Sequence, residues 1–133
     1  MKQGQKGFTM IELIVVIVIL GILAATALPK LIDLRSDAQT ASVQGVAGAA
    51  ASAMNLNYAG CAVVNNVVTA NKCVKVDSCG DITAQLQGGL PSGYTIDDDA
   101  ISTTNGTTGA CAVKHTAGAT VTTAAFTGVA AGN

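Results

Sequence analysis

Tryptophan is absent from this sequence, and large rings are few: Phe8, Tyr58, Tyr94 and Phe126 in 133 residues. A core built on aromatic side chains, each of which buries a large apolar area, is therefore excluded. Charge is sparse as well, at 11 % of residues. Without Lys2 and Lys6 the seven basic side chains fall to five, against eight acidic ones. No basic patch remains to grip phosphates, so the lone chain is not expected to bind nucleic acid. His115 is the single histidine, no glycine-rich phosphate loop opens a helix, and the carboxylates form no acid/base pair beyond the run Asp97-Asp98-Asp99. The expectation is a protein that is not an enzyme and uses no cofactor.

What the sequence does have is unevenly spread. From Leu13 to Leu28 only Gly21 and Thr26 interrupt an apolar run, whereas the remainder is rich in Ala, Gly, Thr and Asn. As a helix, residues 8–28 span about 30 Å, close to the hydrocarbon thickness of a bilayer. Lys2 and Lys6 precede the run, which places the N-terminus in the cytoplasm and everything after Pro29 outside. A cleavable secretory signal ending in Ala25-Thr26-Ala27 would release a soluble binding module beginning at Leu28. A plain anchor is another reading. Neither has a use for Glu12, a carboxylate inside the apolar stretch that costs roughly 2.5 kcal/mol or more near a bilayer centre.

Lys6-Gly7-Phe8-Thr9-Met10-Ile11-Glu12-Leu13, continuing through Leu28 into Pro29, closely resembles the N-terminal signature of type IV pilins and pseudopilins. The resemblance covers about the first 30 residues without a gap. It implies that a membrane aspartyl peptidase cuts between Gly7 and Phe8 and methylates the new amine on Phe8. It further implies that Glu12 meets the amine of a neighbouring subunit during assembly, setting the register of a homopolymer. Inside an apolar medium, leaving either charge unpaired is costly whatever the net worth of the pair. The implied partners are the prepilin peptidase, an assembly ATPase and a platform protein. The implied locations are the inner membrane for the precursor and a surface filament for the product. Gly21 and Pro29 weaken the helix between them, and the resemblance makes that stretch extensible, beside the alternative of an ordinary kinked membrane helix.

Beyond Pro29, Leu31, Leu34, Ala38, Ala41, Gly45, Gly48 and Ser52 step at three and four, a face of mostly small side chains that permits close approach to a sheet. Gly60 is the expected helix stop. A helix from Phe8 to Ala59 would be about 78 Å long, so its apolar half must protrude. Val63-Val64 and Val67-Val68 around Asn65-Asn66 suggest a small hairpin, and residues 81–87 a short helix. Strands are expected at 94–96, 110–115 and 120–126, with turns at 105–109 and around Gly118. The fold class is α+β: a long protruding N-terminal helix packed, along its C-terminal half, on a small antiparallel sheet. The segments are a cleaved leader (1–7), a membrane and filament-core helix (8–28) and a head (29–133).

Cys61, Cys73, Cys79 and Cys111 all follow the apolar run, which favours disulfides in an oxidising compartment. Three pairings are possible, and Cys61–Cys73 with Cys79–Cys111 is preferred. Cys111 and His115 have zinc-like spacing, with Cys73 and Cys79 as further ligands, but the gap between Cys73 and Cys79 is loose for a metal site. Asp97-Asp98-Asp99 reads as a solvated turn in preference to a calcium site, since the EF-hand pattern is absent. Asn105-Gly106-Thr107 has the glycosylation acceptor pattern. The function expected is a structural pilus subunit, with a secretion-system pseudopilin and the soluble module as alternatives.

Overall fold

The computed structural model describes residues 7–133, with only the backbone considered at residues 32 and 33. Lys2 and Lys6, which carry the expected membrane orientation, lie outside the described residues. The chain divides into two units, residues 1–38 and 39–133, and helix α1, Met10–Val63, contributes residues to both.

In the first unit every described side chain is exposed, including Leu13, Ile17, Leu20, Ile22 and Leu28. β-Branched residues are middling helix formers in water, but an apolar medium leaves the backbone no partner except itself, and the helix satisfies it. Thr26, the one hydroxyl in the run, donates back to the Leu23 carbonyl at 3.0 Å and so leaves no loose polar group. The helix passes unbroken through Gly21 and Pro29.

The second unit is the α+β head. Strands β1 (Tyr94–Ile96), β2 (Thr108–Ala117) and β3 (Thr120–Val129) form an antiparallel sheet in the order β1-β2-β3. The β2–β3 ladder runs without a break from Thr108↔Val129 to Ala117↔Thr120, leaving Gly118-Ala119 as a two-residue turn. Gly118 has φ 63°, the positive value that a type II′ turn needs at its first central position. A short 3-10 helix, Gly80–Gln85, lies close to the expected 81–87.

The helix face toward the sheet is not the one expected. Val43, Ala47, Ala50, Met54, Asn57 and Cys61 are buried, at alternating steps of four and three, while Ala41, Gly45, Gly48 and Ser52 are exposed. Gly45 sits two residues, or about 200° of helix turn, from Val43 and Ala47. Burial follows the larger side chains Val43 and Met54, because they remove more apolar area from water than the small stripe could. Ala50 and Met54 pack with Val76, Cys79, Ile82 and Cys111, and Val43 and Ala47 with Val113.

Gly60 is not the stop. It lies inside α1, where a Cβ would run into the Lys72 carbonyl oxygen. The helix ends at Val63 in a Schellman motif: Asn66 N donates to Cys61 O, Asn65 N donates to Ala62 O, and Asn65 takes the left-handed φ of 54°. The expected hairpin at 63–68 is therefore a helix cap. Asn tolerates the left-handed conformation, and the cap satisfies carbonyls that a hairpin would leave open.

Candidate assembly site in the N-terminal segment

Helix α1 begins at Met10, which leaves Gly7 and Phe8 before the first turn rather than within it. Gly7 has open space around it and Phe8 is exposed. The peptide between them is thus non-helical.

Thr9 and Glu12 form a reciprocal pair at this helix start. Glu12 N donates to Thr9 Oγ1 at 3.3 Å, and Thr9 N donates to Glu12 Oε2 at 2.9 Å. The Thr9 hydroxyl adds a third bond to the same oxygen at 2.8 Å. This is a capping box, with Thr9 at the N-cap and the carboxylate three residues into the helix. Sequence reading assigned Glu12 only an external partner and missed Thr9, although Thr-x-x-Glu before an apolar run is the signal for this motif. Among the described residues no donor reaches Oε1 of Glu12, so the cap engages one oxygen of the carboxylate.

Residues 2–28 match the family model described as the prokaryotic N-terminal methylation motif. The N-terminal segment is type IV pilin-like. No curated protein and no solved structure matches the chain. The methylation motif takes in Gly7, Phe8, Thr9, Glu12 and Gly21 and ends one residue before Pro29. Its helix is long and apolar enough to cross a membrane.

In the head, Cys61 is bonded to Cys73 and Cys79 to Cys111. The zinc alternative fails on this point, since Cys73, Cys79 and Cys111 all have their sulfurs in disulfides. His115 instead lies against the Tyr94 ring, with centroids 4.4 Å apart, and Tyr94 OH is hydrogen-bonded to Ser42 Oγ. The aspartate run is also divided. Asp97 pairs with Lys114 at 2.8 Å, Asp99 accepts the Cys79 amide through its backbone carbonyl, and Asp98 lies against Gly80. Lys114 is held above the usual lysine range by the hydrogen bond and charge of Asp97, as Lys75 is by Asp77 at 2.6 Å.

Three structural side chains gave no clear sequence signal. Asn57, only 6 % exposed, donates to Val74 O at 2.8 Å and accepts from Val74 N at 2.9 Å, acting as a one-residue strand for the cystine loop. Asp81 accepts the Asp77 and Ser78 amides at 3.0 and 2.9 Å. Burial pushes its carboxyl up, but these hydrogen bonds together outweigh burial and hold it below the usual range. Asn105 donates to Asn133 O and accepts from Asn133 N, both at 2.9 Å, so its amide tethers the C-terminal strand extension.

Proposed function

We propose that the chain is the major subunit of a type IV pilus. Cleavage between Gly7 and Phe8 discards the leader, the Phe8 amine is methylated, and the mature helices pack together as the core of a helical surface filament. The observation that carries this reading is a helix start in which an apolar, exposed segment retains one carboxylate, Glu12, within the matched methylation motif. Exposed apolar surface on this scale needs a bilayer or a bundle of like helices.

Glu12 then serves two partners in succession. Its Oε2 keeps the Thr9 cap, and its free oxygen receives the Phe8 amine of a neighbour. The charge contact penalises any subunit that docks out of step, because a mismatched subunit buries an unpaired ion. Gly21 and Pro29 stay in the product as the weak part of the helix: Pro29 has no amide hydrogen for the Ala25 carbonyl four residues before it. Two disulfides and an Ala- and Thr-rich head favour a surface fibre over a short periplasmic pseudopilus. Prepilin peptidase, assembly ATPase and platform protein complete the reading as partners.

Intact-mass and N-terminal analysis of the exported protein tests it. A methylated Phe8 start is expected, and a Leu28 start would overturn the filament reading. Electron microscopy of sheared cell-surface material should then show fibres built from this chain.

A further inference from the structure

Residues 39–133 hold three lysines and five aspartates. Lys75 and Lys114 are each paired within the fold, to Asp77 and Asp97. Lys72 is exposed and forms no ion pair among the described residues, and the exposed Asp98 and Asp99 form none either. Both unpaired groups are held on rigid backbone. Lys72 precedes Cys73 in the Cys61–Cys73 loop, its amide donates to Thr69 O at 3.1 Å, and its carbonyl is seated against Gly60. Asp99 accepts the amide of Cys79, itself bonded to Cys111, and the next residue, Ala100, bridges to Ser78. The stretch closed by the Cys61–Cys73 bond also leaves Val63, Val67 and Val68 81 %, 63 % and 57 % exposed.

Resting on the filament reading above, we propose that Lys72 and the three exposed valines of its disulfide loop form a docking knob that seats against Asp98 and Asp99 of a second copy of this chain. The charges are complementary: Lys72 and Asp98 form no ion pair among the described residues, while Asp99 lies in the field of Lys114, which Asp97 already pairs. The valines supply apolar area to exclude water around the charges. The knob cannot pair with itself, since Lys72 would meet Lys72. The two patches also lie at different levels of α1. Lys72 is at Gly60, whereas the Cys79–Cys111 region that holds Asp98 and Asp99 packs on Ala50 and Met54, about 9–15 Å along the helix. Two different, complementary patches make a head-to-tail contact, which propagates into an open helical polymer instead of closing a dimer.

A charge swap in the full chain, expressed in a piliated host and read as sheared filament, tests this. Lys72→Glu, and Asp98→Lys with Asp99→Lys, should each lower filament yield by about tenfold or more through like-charge contact. The combined swap should restore yield to within about threefold of wild type. Lys72→Gln, which adds no repulsion, should give an intermediate loss. Each variant's membrane pool is checked for two intact disulfides by non-reducing mass, so that misfolding is separated from failed docking. Wild-type yield from the reversals, or no recovery in a folded combined swap, overturns the contact and leaves the filament reading standing. If the wild-type chain itself forms no filament, both fall together.

Discussion

Gly60 and Gly48 are the same residue on the same helix, yet an added methyl group should act on them with opposite sign. Helix propensity alone favours alanine by roughly 1 kcal/mol at both. At Gly48 nothing lies within 4 Å of the new Cβ, so Gly48→Ala should stabilise the head by up to about that amount. At Gly60 the Cβ meets the Lys72 carbonyl, which the Cys61–Cys73 bond prevents from retreating, and Gly60→Ala should destabilise by about 1–3 kcal/mol. Urea unfolding of the full chain in detergent compares the two. Asp81 provides a pH test at the same scale. Its folded carboxyl is held below the ordinary value, so the stability it contributes is fully present above the unfolded carboxylate pKa and is lost as pH falls through the lowered folded one. Asp81→Asn should cost about 1 kcal/mol at neutral pH, modest because burial of the half-buried carboxylate offsets much of what its two amide hydrogen bonds contribute. The gap from wild type should close as pH drops below about 3.9. A pH-independent gap would show that shape, not charge, holds the 77–81 turn.

The two disulfides differ as elements. Cys79–Cys111 closes a sequence separation of 32 and Cys61–Cys73 one of 12. In the chain-entropy model the first contributes about 4 kcal/mol and the second about 3 kcal/mol. All four cysteines are buried, so serines add buried hydroxyls at either pair and the difference between them rests on loop size. Thermal melts should therefore rank Cys79→Ser/Cys111→Ser modestly below Cys61→Ser/Cys73→Ser. The sheet was legible in the sequence because Gly118 marks its turn and the flanks hold Val, Thr and Phe. Its ends were not, since the ladder continues through Thr108-Gly109 and Thr127-Gly128, where pairing overrides weak strand propensity. The buried helix face was hidden for a related reason: small residues fit either side of α1, and only packing against Val113 and Cys111 chooses Val43 and Met54. At the N-terminus the residue types pointed to the candidate site, but not to the hydrogen-bonded pair Thr9 forms with Glu12. That pair is local geometry, which a search for charge partners passes over.

At the scale of the whole molecule, the capping box makes it possible to separate folding of the precursor from its assembly. A capping box accepts glutamine as well as glutamate at its third helical position, because the amide oxygen can still receive the N-cap amide. Glu12→Gln should therefore preserve the helix start and membrane insertion while removing the charge proposed to meet a neighbour's Phe8 amine. Thr9→Ala does the reverse, weakening the cap by about 0.5–2 kcal/mol while leaving the carboxylate intact. In a bilayer the helix has few alternatives to forming, so Thr9→Ala should lower filament yield only mildly. Glu12→Gln should abolish assembly and leave processed subunit in the membrane, and Glu12→Ala should match it. Carbonate extraction measures insertion and shearing measures assembly. If Thr9→Ala blocks filaments as completely as Glu12→Gln, Glu12 acts chiefly by shaping its own helix start. The proposed contact between subunits would then have to be sought elsewhere along the exposed apolar face.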